Sequence, residues 1–367
     1  MNRSSWTYAL VIYAEDGSQL RQSSVEVDWE PATEWLRLQA LREGLGQREA
    51  FELNCTFEPV WHSKAGAPYV GYFLGRVTAE GRSIEHRFPI DYVRRYADDL
   101  SKELVKDGAL QEGALFTYRG LAFPEHGRGA AGQTPESSNG RGRLFSSKAI
   151  APATPVLPGV LSEHLTGTDV VGTLDPLDLP VVIPQSVLDE TAELAGAAGE
   201  CETGGILIGH LRQDADEPEA FVEVTAQIPA LGAEADSSRL SFTPEVWTAV
   251  RAAIDLRGRG EIMVSWWHSH PVHHWCRDCP PDKRQVCPLR EDFLSAHDRL
   301  LHRTVFPRAY STALVINELG DGERTFSFFG PREGRLEPRG FHLGLGRVDD
   351  QTGTSLAVHG AHGLQED

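Results

Sequence analysis

The order of apolar and polar positions divides the chain into two structured stretches. In the first, alternating or β-rich segments cover 5–14, 22–29, 50–57, 69–79 and 83–90. Two segments instead carry apolar residues at helical spacing: PATEWLRLQALRE (31–43), with Pro31 near its start, and DYVRRYADDLSKELVKDG (91–108), which ends on Gly108. The pattern predicts a separate small α+β domain over 1–124. It contains no chemistry motif. His62, His86 and Cys55 fall on its strand-like stretches and read as packing or surface residues. By default, such a domain binds a substrate or a partner enzyme.

The composition then changes. HGRGAAGQTPESSNGRGRLFSSKAIAPATPVLPG is rich in Gly, Pro, Ala and Ser, the make-up of a flexible linker, placed at 125–178. Residues 160–178 fit neither period. Ordered pattern resumes with the strand LPVVIP and the helix PQSVLDETAELAGAAG (184–199). Strands follow in ETGGILIGHL (202–211), AFVEVTAQIPA (220–230) and RLSFTP (239–244). A helix spans 244–260, a strand 261–271, and a helix EDFLSAHDRLLHRT comes next. Two further strands, YSTALVINE and TFSFFG, close the second domain, placed at 179–345. A Gly-rich, polar, mobile tail is expected over 346–367. There are no internal repeats.

Composition narrows the function classes. The 367 residues exceed one ordinary core, and 40% hydrophobic with 24% charged is normal for a soluble globular protein. No apolar run approaches the roughly 18–20 residues of a membrane span. The first apolar run, YALVIYA, is too short for a signal peptide, so a cytoplasmic location without membrane contact is expected. The formal net charge of −18 repels phosphate backbones and argues against nucleic acid as a partner. Five cysteines, an odd number, argue against a disulfide framework. Three of them cluster, which favours metal binding.

The candidate chemistry centres on SWWHSHPVHHWCRDCPPDKRQVC (265–287), with four histidines and three cysteines. His268 and His270 are i and i+2 on a strand, so both imidazoles point to one face and can chelate one ion. A catalytic zinc site needs three protein ligands and one open position. Asp298, in FLSAHD, is the candidate third ligand. Ser295 and Asp298 also have the spacing of an N-cap pair that starts a helix, and Ser295 could equally lie inside one. Glu202 heads an apolar run, where a carboxylate is costly unless it has a polar task or sits exposed at the strand end.

Glu202 before GGILIGH, then HSHP at 268–271, then Ser295 with Asp298, resembles the JAMM motif of the JAB/MPN zinc metalloproteases. The resemblance covers about 179–332. It implies a JAB/MPN domain, a curved mixed β-sheet flanked by helices. It also implies that His268, His270 and Asp298 hold Zn²⁺, that Glu202 is the general acid/base, and that Ser295 donates to the oxyanion. Relatives cut isopeptide bonds after the C-terminal glycine of ubiquitin-like proteins. The expected function is therefore a zinc-dependent isopeptidase, resembling prokaryotic deubiquitinases, that removes a ubiquitin-like protein from conjugates. Its implied partners are that protein or its conjugate and, within a conjugation system, E1- and E2-like enzymes. A bacterial setting with an antiviral role is one such case.

The sequence departs from the motif in one place. His270 and Asp298 are 28 positions apart, and an insert at 272–290 fills the gap. It holds Cys276-x-x-Cys279 and Cys287, a second, structural zinc site if His273 or His274 supplies a fourth ligand; His297 or His302 could instead reach back. Free thiols and a redox pair are the other readings. Two other functions stay open. One is a processing peptidase that matures a ubiquitin-like or sulfur-carrier precursor. The other is a non-catalytic MPN scaffold, which would have no use for Glu202.

Overall fold

The computed structural model describes residues 6–62, 69–124, 154–214, 216–284 and 286–344. The chain is α+β and forms two compact units: 1–29 with 51–154, and 30–50 with 155–367.

In the first unit, six strands form one sheet: β1 (Trp6–Ala14), β2 (Gln19–Val25), β3 (Cys55–His62), β4 (Tyr69–Ala79), β5 (Arg82–Pro89) and β6 (Phe116–Pro124). The order is β2-β1-β6-β4-β3, with β5 on β4, and every pairing is antiparallel. Its core is aromatic. Trp29 stacks between Phe57 and Tyr92, at 4.6 and 5.3 Å between ring centres. The helix Arg94–Lys106 buries Ala97, Leu100 and Leu104, the i, i+3, i+7 stripe its sequence predicts. Cys55 is buried, His62 exposed and His86 half-buried, with no functional cluster formed around them among the described residues.

The second unit corrects the domain boundary read from the sequence. The helix Glu30–Arg42 belongs to it rather than to the first unit. Arg42 grips Glu219 through two hydrogen bonds of 2.7 and 2.9 Å, and also donates to the carbonyls of Pro176 and Leu177. Glu34 accepts from Arg308 at 3.0 Å. Helical period reports that one face is apolar, and it carries no information about which sheet that face covers.

The second correction concerns the linker. Residues 156–171 contribute β7 (Val156–Gly159), a short helix Leu161–Leu165 and β8 (Thr168–Val171) to the sheet of the second unit. Four-residue edge strands are too short to show a period. The stretch 125–153 and the tail 346–367 lie outside the described residues.

The remaining strands are β9 (Val181–Pro184), β10 (Gly204–Asp214), β11 (Ala220–Pro229), β12 (Glu234–Ala235), β13 (Leu240–Ser241), β14 (Ile262–His270), β15 (Thr312–Gly320), β16 (Glu323–Arg332), β17 (Arg335–Pro338) and β18 (Phe341–Gly344). The large sheet runs β17-β16-β15-β14-β10-β11-β9-β18-β8, with β7 on β10. The pair β12–β13 stands apart as a two-residue hairpin ladder.

At the centre, β14 pairs antiparallel with β10 and parallel with β15. One face of these strands presents Ile206, Ile208, Trp266, Ala313 and Val315 to the helices Pro244–Arg257 and Ala296–Val305. Burying each large side chain of this kind contributes about 1.5–3 kcal/mol. The glycines of GGILIG have a packing reason. A Cβ on Gly204 would lie 2.4 Å from the Trp267 carbonyl oxygen, and one on Gly209 would collide with the Glu223 carbonyl at the bulge of β10.

Candidate metal centre

Strand alternation puts Trp266, His268 and His270 on one face of β14. All three are buried. Two histidines are not expected in a core unless polar partners receive them, and each has one. Trp266 stacks on His268 at 4.7 Å. His270 packs between Phe293 at 4.7 Å and Trp275 at 5.1 Å. The two Nε2 atoms lie 3.1 Å apart, and His268 Nε2 lies 3.5 Å from Asp298 Oδ2. The ligand atoms of His268, His270 and Asp298 all fall within 4.8 Å of one another.

Asp298 comes from the helix Ala296–Val305, which packs on the same face. This helix starts later than its sequence suggests: residues 291–294 are not helical, and Ser295 is the N-cap. The Ser295 hydroxyl accepts from Asp298 N–H at 3.1 Å, and Asp298 Oδ2 accepts from Ser295 N–H at 2.8 Å. This is a complete capping box, contributing on the order of 1 kcal/mol. The box also fixes the Asp298 carboxylate against the histidines, so capping and ligation are not alternatives here.

Glu202 enters through the register of β10. Gly204 lies opposite His268, and Ser269 and Thr203 exchange hydrogen bonds of 2.8 and 3.0 Å. Glu202 N–H donates to the Asp236 carbonyl at 2.8 Å, tying it to the β12–β13 hairpin. Its side chain is 5% exposed. Burial, then the charges of Asp298 and Asp236, push its carboxyl up to about 8. Burial and the neighbouring His268 push His270 down to about 3, so it is neutral. Burial works against charged Asp298, but hydrogen bonds from His268 and Ser295 hold its carboxyl below the ordinary range.

One residue the sequence reading passed over is Asn317. In the parallel β14–β15 register it lies opposite His270, and its Oδ1 is 3.1 Å from His270 Nδ1. Asn317 in turn donates to Thr325 at 3.2 Å and Ser327 at 3.4 Å, which assigns its oxygen to the histidine. His270 therefore carries its proton on Nδ1 and turns an Nε2 lone pair toward the cluster. That is the tautomer a metal ligand needs. A buried Asn at the end of an apolar strand (LVIN) is the signal that could have revealed it.

The donor set fits a dication. Two imidazole nitrogens and one carboxylate converge from a central strand and a capped helix, with their ligand atoms within 4.8 Å of one another.

The insert behaves differently. Cys276, Cys279 and Cys287 bring their sulfurs within 4.8 Å of one another. Burial pushes the Cys276 thiol up to about 11. The hydrogen bond from Leu289 N–H holds the Cys287 thiol below its usual value. None of the four histidines expected to complete this group joins it. His273 Nδ1 lies 3.2 Å from the Glu318 carbonyl, and His274 Nδ1 3.3 Å from Glu200. His297 Nε2 lies 3.2 Å from the Leu240 carbonyl, and His302 accepts from Trp266 Nε1 at 3.1 Å. Adjacency in sequence put the first two near the cysteines, but the helical turn 272–275 aims them elsewhere.

Among the described residues, no helix is long and apolar enough to cross a membrane. No family model matches the chain, and no curated protein matches it. Among solved structures, the chain is similar to a protein of Desulfitobacterium hafniense determined in solution, at 19% identity and a TM-score of 0.30. That likeness covers 47% of this chain and 99% of the other, and at such a score it carries no argument about fold or function.

Proposed function

We propose that the second unit is a JAB/MPN domain and that the chain is a zinc-dependent isopeptidase releasing a ubiquitin-like protein from its conjugates. The observation that carries this reading is the meeting of His268, His270 and Asp298 beside buried Glu202. A scaffold would gain nothing from keeping a carboxyl in so costly a place.

Zn²⁺ held by His268, His270 and Asp298 would supply a Lewis acid and a water whose pKa falls to about 7. The chain's own groups do the rest. Glu202 takes a proton from the attacking water and passes it to the leaving amine nitrogen. Its raised pKa comes from burial and from Asp298 and Asp236, and a dication held at the three ligands would draw it back toward ionisation. The Ser295 hydroxyl donates to the oxyanion as the carbonyl becomes tetrahedral. Asn317 keeps His270 in its ligating tautomer. The β12–β13 hairpin flanks the site through Asp236, and its Leu240–Ser241 strand is the candidate edge for an extended, glycine-rich tail.

The test is cleavage of ubiquitin-like fusions and isopeptide conjugates joined after a C-terminal glycine. Glu202→Gln is expected to lower kcat by roughly 10²–10⁴-fold, with zinc per chain unchanged by native mass spectrometry. Equal cleavage by both proteins would reject the mechanism.

A further inference from the structure

The insert 272–290 lacks the means to hold itself together. Among its described residues only Val272 and Cys276 are buried, while Val286 and Leu289 are 75% and 40% exposed. Its regular structure is three single turns, 272–275, 281–284 and 288–290. A lone turn costs more conformational entropy than its hydrogen bonds return. Yet these turns bring three sulfurs together from positions 276, 279 and 287, none of them in a disulfide.

We propose that Cys276, Cys279 and Cys287 bind a second Zn²⁺ as three thiolates, and that this ion fixes the insert as a wall of the site at His270. Soft thiolates at this spacing select zinc over hard cations. A tetrahedral zinc with sulfurs at about 2.3 Å places them about 3.8 Å apart, inside the 4.8 Å within which the three sulfurs already lie. Binding releases three protons, one per thiol, and leaves a site of net charge −1. Cations already surround it. Arg284 donates to the carbonyls of Cys279 and Arg277 at 3.0 and 2.6 Å, and the Arg290 charge bears on Cys287. In a chain of net charge −18, this local excess of Arg is a specific feature. With no histidine in the set among the described residues, the fourth position is open to water.

The consequence passes through Trp275, next to Cys276. Its ring lies 5.1 Å from His270 and 6.3 Å from Phe293, and its Nε1 donates to the Ser237 carbonyl in the β12–β13 hairpin. Trp275 is thus a positioning residue between the insert and the hairpin. The metal site stands by itself, whereas its effect on cleavage rests on the hydrolase reading.

The test starts from His268→Ala/His270→Ala, which removes the other candidate site and contains no thiolate there. Zinc is expected at one per chain. Replacement by Co²⁺ should give the intense near-ultraviolet thiolate-to-cobalt band, which Cys276→Ser/Cys279→Ser abolishes. The Cys variant with both histidines intact should also hold one zinc. A mercurial thiol reagent on the wild-type chain should release one zinc and leave one, a result that does not depend on the variants folding. Trypsin should cut at Lys283 and Arg284 at least tenfold faster after the thiol-bound zinc is lost. Two zinc per chain in the Cys variant, or no charge-transfer band in the His variant, would overturn the proposal. Either result is read without substrate, so an inert enzyme leaves the proposal intact. If the isopeptidase reading also holds, the Cys variant raises KM more than it lowers kcat.

Discussion

The histidine–aspartate cluster and the cysteine cluster lie six residues apart in sequence, from His270 to Cys276, and are built in opposite ways. The first takes its members from the centre of a sheet and a capped helix, and all three are buried. Its imidazoles are held by Asn317, Trp266 and Phe293 before any ion arrives. The second takes its members from single turns on a surface insert, with two of three partly exposed. If both clusters bind zinc as proposed, the fold precedes the metal in the first, so losing the metal should cost reactivity, and the metal precedes order in the second, so losing it should cost local structure.

The hardest way to break this contrast is to remove the histidines. His268→Ala/His270→Ala is expected to abolish peptidase activity by roughly a thousandfold or more, the several kcal/mol of transition-state stabilisation a catalytic ion supplies. Its far-ultraviolet circular dichroism should stay unchanged. An unfolded variant would show that the sheet depends on those side chains after all. Asn317→Leu probes the preorganisation itself. It should weaken zinc at the histidine site by about 10–100-fold, while the cobalt–thiolate band of the insert is untouched. Competition against a chelator reads both sites in one sample.

Ser295 separates its two duties. Ser295→Asp keeps the helix cap but has no hydroxyl to donate. It should preserve thermal stability while lowering kcat by about 10²-fold. Ser295→Ala should lose the same rate and about 1 kcal/mol of stability as well. A rate unchanged in Ser295→Asp would leave the residue as a cap alone.

The smallest effect concerns acid. His302 is buried behind Trp266 and is pushed down to about 4 by that burial. An unfolded chain takes up a proton near 6.5 while the folded one refuses it until about 4, so the unfolded state binds more protons in that window. This stability is full above about 6.5 and is lost as pH falls toward 4. His302→Gln, which keeps an acceptor for Trp266, should flatten the decline in urea-melting midpoint over that range.

The long elements were legible because burial imposes a period on them. Residues 69–79 and 220–229 alternate or run apolar, and 94–106 repeats its apolar face every three to four positions. The short strands were not: β7, β8 and β18 have four residues each and are held by register with neighbours distant in sequence. Within the candidate site, His268 and His270 were readable because strand alternation alone makes them share a face. Asn317 was passed over because it matters only through the parallel pairing of β14 with β15. His273 and His274 were misplaced beside the cysteines because the direction of a side chain on a single turn depends on what that turn packs against.

The sequence by itself determined which residue types are present in which local geometry: a strand that presents two imidazoles, a Ser-x-x-Asp start to a helix, and a close thiol pair. These follow from dihedral periodicity and capping chemistry, which act over a few residues. Only the tertiary structure decided that Glu202 lies buried where the charges of Asp298 and Asp236 are felt, that Asn317 sets the His270 tautomer, and that the helix 30–42 covers the second unit. Those outcomes depend on strand register and on the burial of charge, which act between residues brought together from anywhere in the chain.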